Sequence, residues 1–279
     1  MLSIIVLSSD GYADCWHPFF QSFKKYFPLK DEYEILLSTN EKKYEHEGLL
    51  IKMINSGLTT SWSKRLKNCV KQAKYENLFV LTEDFFIRSP LNVVMFEGFL
   101  DLLQQRDDVD HIRLLSTYDR TKSSPSKFPS LDLIDPKTKL RFLYLPGLWK
   151  RKVLAKYLFN FESVFMSEKI GDIRSTIYKD NFYAISRSYY KKHGQFYDCT
   201  PSGALFKGKW SKDWIVPFFE RENIDIDLTI RGFATLDFQK STRLQNKMQL
   251  IKHPIPTIQS FSTLLWLKIR GILGLIKKK

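Results

Sequence analysis

Short apolar runs ending in turn-forming residues alternate along this chain with stretches whose apolar positions recur at helical spacing. Residues 2–9 read as a strand, followed by the turn Asp10-Gly11-Tyr12. Trp16, Phe19, Phe20, Phe23 and Phe27 then fall close to one helical face within residues 14–27, and Pro28 stops that helix. Strands are predicted at Glu34–Ser38, Leu49–Ile54, 77–82 and Ile112–Leu115. Helices are predicted at 61–75, with Ser61 as N-cap, and at 92–105. The order β-α-β-β-α-β-α-β predicts a largely parallel sheet covered by helices, with ligands at the C-terminal ends of its strands. Arg120–Pro136, rich in Ser and Pro, reads as a loop or lid. Leu140–Leu145 reads as a strand, Lys150–Phe159 as a helix, Phe182–Ser186 as a short strand and Trp210–Glu222 as a helix, while residues 160–180 show no clear period.

One junction stands out. Leu78-Phe79-Val80-Leu81-Thr82 is an apolar run of strand type that ends in Glu83-Asp84 before Phe85-Phe86 resume the apolar pattern. A buried strand that delivers two carboxylates at its tip presents hard oxygen ligands to a crevice, a set suited to Mg²⁺ or Mn²⁺ that already carries phosphates. The bland reading is a strand-to-loop junction that happens to be acidic.

Composition narrows the class. The 279 residues, 43% hydrophobic and 15% aromatic, suffice for one large α/β domain or two small ones. Cys15, Cys69 and Cys199 are odd in number, far apart and without metal spacing, which points to a reducing, intracellular compartment. The N-terminal apolar run lacks a basic flank and reads as a strand rather than a signal peptide, and no run reaches the roughly 20 apolar residues of a membrane span. The net charge of +14 is uneven: Phe238 to Lys279 carries nine Lys and Arg and no acid. Within it, Ser260–Ile276 has an apolar helical face with Trp266, flanked by Lys268 and Arg270 and closed by Lys277-Lys278-Lys279. That pattern predicts an interfacial helix on an anionic membrane, each cation near the leaflet contributing about 1 kcal/mol. The competing expectation is a terminal helix docked on the protein's own core. A division into a domain at 1–237 and a basic extension at 238–279 follows.

Four segments together resemble bacterial GT-A glycosyltransferases of capsule and O-antigen synthesis. They are Ser8-Ser9-Asp10-Gly11-Tyr12-Ala13-Asp14-Cys15-Trp16-His17-Pro18-Phe19-Phe20, Ser61-Trp62-Ser63-Lys64-Arg65-Leu66, Thr82-Glu83-Asp84-Phe85-Phe86 and Lys207-Gly208-Lys209-Trp210-Ser211. The resemblance covers about residues 3–215. It implies a GT-A-like (Rossmann-like) mixed α/β sheet, a nucleotide-sugar donor, a glycan acceptor and a divalent metal, Mn²⁺ or Mg²⁺. The chain departs from the family at Glu162–Gly171, where a Trp-Glu-Phe-Glu type of cluster lacks its Trp and one acid.

Sugar transfer needs a cation or basic groups for the leaving diphosphate and, if it inverts the anomeric carbon, a base for the acceptor hydroxyl. The resulting expectations place Asp84 on the metal and Glu83 beside it or on the ribose. Ser8, Ser9 and Asp10 would meet the nucleobase and ribose. Trp62 and Arg65 would meet the diphosphate, and Lys209 with Trp210 the leaving group. Glu168 is the first candidate base, then Glu162 and Asp213. The five histidines show no metal spacing, and no nucleophile elbow, Walker loop or dinucleotide fingerprint occurs. Two other classes compete: a basic nucleic-acid-binding protein, for which no RNP-like, helix-turn-helix or zinc-finger pattern is present, and a non-catalytic subunit that keeps the fold. The preferred reading is an inverting, metal-assisted enzyme on the cytoplasmic side of the inner membrane, with a lipid-linked acceptor and no nucleic-acid partner.

Overall fold

A computed structural model describes residues 1–117, 119–200, 203–235 and 251–273. Nine strands form one sheet in the order β3-β2-β1-β4-β8-β5-β9-β7-β6. In chain order they are β1 (Ser3–Leu7), β2 (Glu34–Thr39), β3 (Ile51–Asn55), β4 (Asn77–Thr82), β5 (His111–Ser116), β6 (Ser123–Pro125), β7 (Leu131–Ile134), β8 (Gly147–Lys150) and β9 (Phe182–Ile185). β3, β2, β1 and β4 are mutually parallel, β5 and β9 are parallel to each other, and β8 and β7 run against their neighbours. The expected class, a mixed and mostly co-directional sheet flanked by helices, is the one observed.

The sheet is covered on both faces, which explains why β1 reads as a continuous apolar run rather than an alternating one. Ile4 and Val6 of β1, with Phe79 and Leu81 of β4, pack against Phe19, Phe20 and Phe23 of α1 (Trp16–Tyr26) and Phe96 and Phe99 of α3 (Val93–Gln105). Ile5, Leu7, Leu78 and Val80 face the opposite layer, where Leu66 and Val70 of α2 (Trp62–Gln72) join Val153 and Tyr157 of α4 (Arg151–Tyr157). Further along lie α5 (Val164–Tyr178), α6 (Arg187–His193), a small hairpin of β10 (Leu205–Phe206) and β11 (Lys209–Trp210), α7 (Lys212–Glu222) and α8 (Pro254–Ile272).

Two expectations are corrected. The segment 120–136 is not a free lid: β6 and β7 lie in it and form an antiparallel pair at the sheet edge. Leu140–Leu145 is not a strand of the sheet. Its alternate backbone N–H groups donate to carboxylates of α5 instead: Leu140 and Phe142 to Asp172 at 2.9 and 2.7 Å, and Tyr144 to Glu168 at 3.0 Å. The segment has the apolar run of a strand, but side chains of a helix satisfy the donors that a neighbouring strand would have taken. Gly171 permits this approach, because a Cβ there would lie 2.4 Å from Cδ1 of Phe142.

α8 begins earlier than expected. Pro254 and Pro256 lie in its first turn, where a missing N–H costs nothing. The expected domain boundary at 237/238, and with it Lys240, Arg243 and Lys247, falls outside the described residues, as do Lys277, Lys278 and Lys279.

Candidate active site

The site forms at the C-terminal edge of β1 and β4, whose ends pair Leu7 with Thr82. After β1, Ser8 turns its Oγ to accept the Trp16 indole N–H at 2.7 Å, which fixes the start of α1. Ser9 is the N-cap of a short 3₁₀ segment over Asp10–Cys15, with its carbonyl accepting from the Tyr12 N–H at 2.8 Å. The Asp10 carboxylate accepts the backbone N–H groups of Asn40, Glu41 and Lys42 at 2.8, 3.0 and 3.0 Å. Burial raises its proton affinity, but these three donors outweigh that and hold it below the usual carboxylate range. Asp10 therefore pins the loop after β2 with three of its acceptor sites.

Glu83 and Asp84 follow the last residue of β4. Glu83 is buried and Asp84 half-buried. Asp84 Oδ1 accepts from Thr82 Oγ1 at 2.6 Å, Oδ2 accepts from the Leu205 N–H at 3.4 Å, and the Asp84 carbonyl accepts from the Ala204 N–H at 2.7 Å. Gly203, at φ +83°, closes against this carboxylate so tightly that a Cβ would lie 2.2 Å from Oδ2. Burial pushes both acids above their ordinary range, and for Glu83 the adjacent Asp84 charge adds to it. Neither acid belongs to an ion pair among the described residues.

One compensating charge comes from a residue that the sequence pattern did not single out, Arg231. Arg231 pairs with Asp14 (Nε to Oδ2, 2.6 Å), donates to the carbonyls of Gly11 and Gly208 at 2.7 and 3.3 Å, and lies 4.7 Å over the Tyr12 ring. Its field lowers the proton affinity of both Glu83 and Asp84. It thereby ties the hairpin containing Lys209 to the turn after β1. Asp14 and Tyr12 stand within the first motif, but Arg231 lies in a stretch without periodicity.

On the other side of the acids, α2 presents its first turn. Ser61 caps it, accepting from the Lys64 N–H at 3.2 Å. The Trp62 ring centroid lies 4.2 Å from that of Tyr144. Arg65 donates through Nη1 to the Thr60 carbonyl at 3.4 Å, while its buried Nε has no partner among the described residues. Burial lowers the Arg65 pKa, and the charges of Glu83 and Asp10 act in the opposite sense, which places the guanidinium within their electrostatic reach.

The candidate bases separate. Glu162 is fully buried, ion-paired to the equally buried Arg174, and accepts a 2.9 Å bond from Ser260 of α8. It is a structural residue joining α5 to α8, and its expected role as a base is corrected. Asp213 is exposed in the first turn of α7, with no described contact to Glu83, Asp84 or Arg65. Glu168 is half-buried, its Oε1 accepts the Tyr144 N–H at 3.0 Å, and burial pushes its carboxyl up to about 7. Through Tyr144 it adjoins Trp62 and the start of α2. Trp210 is fully buried, 6.3 Å from Phe86 and 5.7 Å from Phe219 between ring centroids, so it is a core residue rather than a donor platform. Lys209 beside it is half-exposed on β11.

The described residues hold no group of three or more His, Cys, Asp or Glu arranged around a metal. The two carboxylates at the tip of β4 still suit a Mg²⁺ or Mn²⁺ ion, which commonly takes one or two protein carboxylates and completes its shell with phosphates and water. At the end of β4, Glu83 thus lies within the electrostatic reach of Arg65 at the start of α2, and both acids lie within that of Arg231, which is bonded to the Lys209 hairpin.

No protein-family model and no curated protein matches the chain. Among solved structures, residues 1-349 of TarS from S. aureus are 12% identical with a TM-score of 0.43, over 67% of this chain and 58% of that one. GalNAc-T7 with UDP, GalNAc and Mn²⁺ is 10% identical with a TM-score of 0.49, over 66% of this chain and 42% of that one. CMP:2-keto-3-deoxy-manno-octonic acid synthetase complexed with CTP is 12% identical with a TM-score of 0.41, over 66% and 89%. The chain thus spans little more than half of TarS 1-349 and less than half of GalNAc-T7. At such identities and TM-scores the residues of the site, not the likeness, have to identify the chemistry.

Proposed function

We propose that the protein is a glycosyltransferase that moves a sugar from a nucleotide-sugar donor to a hydroxyl of a lipid-linked glycan acceptor in bacterial surface polysaccharide synthesis. The observation that carries this reading is the pair Glu83 and Asp84: two desolvated carboxylates, outside any described ion pair, at the tip of a central strand and flanked by Arg65 and Arg231. Desolvated acids held together call for a cation, and arginines beside them call for an anion. A metal-bound nucleoside diphosphate supplies both.

In this reading Asp84 holds the divalent ion with Glu83 beside it. The ion, when bound, stabilises charge on the leaving diphosphate. Arg65 donates its buried Nε–H to a phosphate oxygen, gaining the partner it lacks. Lys209 closes on the diphosphate from the hairpin. Glu168 accepts the acceptor's hydroxyl proton while the hydroxyl oxygen bonds to the anomeric carbon and the bond from that carbon to the phosphate oxygen breaks. The products are an inverted glycoside, a nucleoside diphosphate and protonated Glu168. A carboxyl near 7 divides its population between the two protonation states at neutral pH, as a general base requires.

α8 supports a place at the membrane surface. Ser260, Leu264 and Leu267 are buried, and the helix packs on α5. A second apolar face stays exposed: Ile258, Leu265 and Trp266 are 67%, 61% and 53% accessible, with Arg270 4.6 Å over the Trp266 ring. Docking on the core and facing a membrane are therefore compatible uses of one helix. An anionic bilayer matches the acid-free, basic composition of residues 238–279. No described helix is long and apolar enough to cross a membrane.

Thermal shifts with UDP-, GDP-, CMP- and dTDP-sugars, with and without Mn²⁺, test the donor. Ligand at ten or more times its Kd raises stability by roughly 1.4 kcal/mol. The expected result is a metal-dependent shift with one nucleotide, lost in Asp84→Asn. No shift with any nucleotide refutes the reading. Flotation with phosphatidylglycerol vesicles, compared with phosphatidylcholine, tests the membrane surface separately.

A further inference from the structure

A cavity of about 440 Å³ opens at the same C-terminal edge of the sheet, over the ends of β5 and β9. β5 is two strands from β4 in the sheet, so the cavity begins roughly 10 Å along the edge from the Glu83-Asp84 tip. Two cavities of about 620 Å³ open instead where the strands begin, among residues such as Asn77 and Asn181, and are remote from the acids. The volume at the β5–β9 edge is that of a small-molecule site, within the usual range of about 300–1,000 Å³.

Its lining has a distinct chemistry. Leu115 and Leu145 supply apolar surface, and Ser116, Thr117, Asp119 and Gln195 supply polar groups. Arg187, Tyr190 and Lys191, all from α6, complete it. Arg187 is held in place by bonds from Nε to Thr117 Oγ1 at 3.0 Å and from Nη2 to the Thr121 carbonyl at 2.8 Å. Tyr190 is 44% accessible, an aromatic surface of the kind on which sugar rings stack. Lys191 is exposed and forms no ion pair among the described residues. Two cations and one carboxylate leave a positive balance at the cavity, and α6 continues as Lys192-His193.

We propose that this cavity is the acceptor subsite and that it selects an anionic sugar, a residue carrying a carboxylate or a phosphate, with Lys191 and Arg187 on the charge and Tyr190 against the ring. Asp119 accepts hydrogen bonds from ring hydroxyls and disfavours an anion in any other orientation. The proposal rests on the glycosyltransferase reading for the word acceptor, but the subsite itself rests on the cavity and its side chains. Lys191 is the specificity determinant. Arg187 also holds the β5 end in shape, so its replacement would confound the test.

Ligand-observed NMR on the full chain tests this with three probes: methyl glucuronide, glucose 6-phosphate and methyl glucoside. UDP serves as a separate probe of the crevice at β4. The expected result is that at least one anionic probe binds tenfold or more tightly than the glucoside, and that UDP does not displace it. The glucuronide and the phosphate arms identify which anion is preferred. Lys191→Glu should remove the preference and Lys191→Gln should reduce it, with UDP binding unchanged in both. Equal binding of all three probes, or displacement of the anionic probe by UDP, overturns the subsite. Loss of every sugar probe while UDP still binds overturns it and leaves the transferase reading standing. Anionic probes that bind while no nucleotide does would uphold the subsite and refute the transferase.

Discussion

Removing Glu162 should cost stability rather than nucleotide binding. Glu162 and Arg174 are both fully inaccessible, and the carboxylate also receives the Ser260 hydroxyl. Glu162→Ala leaves the Arg174 guanidinium buried without its countercharge, a loss of about 3–5 kcal/mol when one member of such a pair is removed. Part of that figure belongs to the Ser260 bond, worth about 1 kcal/mol net, which Ser260→Ala measures alone. For a chain of this size roughly 2–4 °C of Tm accompanies each kcal/mol, so Glu162→Ala should melt about 6–20 °C below wild type. The double variant Glu162→Leu with Arg174→Met should recover several degrees, because replacing a buried pair with apolar groups of similar volume avoids the uncompensated charge. Calorimetry of wild type, Glu162→Leu, Arg174→Met and the double variant closes the cycle, and nucleotide affinity below the melting range should match wild type in each. A Glu162→Ala protein that melts within 2 °C of wild type and has lost sugar transfer would refute the structural role and restore Glu162 as a base. So would a double variant whose loss equals the sum of the singles, since that sum denies any coupling.

Other consequences follow from single contacts. Glu168 holds its proton up to about 7 in the folded chain, against 4.5 ordinarily, so transfer should rise with pH through about 7 and level only above that, and Glu168→Gln should abolish the rise. The same group's contribution to stability is complete below its unfolded value and is lost as pH climbs through 7, so Glu168→Gln should flatten the melting temperature over that interval. Gly171→Ala should lower Tm by roughly 2–12 °C, an overpacking cost of about 1–3 kcal/mol. The Phe142 ring that blocks the new methyl is held 4.6 Å from Tyr157 and 5.5 Å from Trp149 between ring centroids and cannot easily retreat. Gly203→Ala should weaken metal-dependent nucleotide binding at least tenfold, read by titration calorimetry, because its Cβ would displace the Asp84 carboxylate and its φ of +83° is unfavourable for a side chain.

The sequence by itself determined the layout of the first half of the sheet and the position of its acidic tip. Fully buried strands read as apolar runs, helices covering them show apolar residues three and four apart, and Glu83-Asp84 interrupts such a run where β4 ends. These are local signals, because burial of one face constrains neighbouring residues at a fixed period. Which polar group answers which is not local. Leu140–Leu145 is an apolar, aromatic-containing run of strand type, yet α5 carboxylates about 24 to 32 residues later take its N–H groups. Asp10 spends its carboxylate on the loop after β2, and Glu162 is engaged by Arg174 and by a serine 98 residues away. Arg231 reaches Asp14 across 217 residues, and nothing in its neighbourhood marks it. Tertiary structure decided these pairings, since a buried charge or hydrogen-bonding group must find its complement wherever the fold brings one within about 3 Å. It also decided which acids stay available: of the candidate bases, Glu168 alone combines partial burial with a position beside the start of α2.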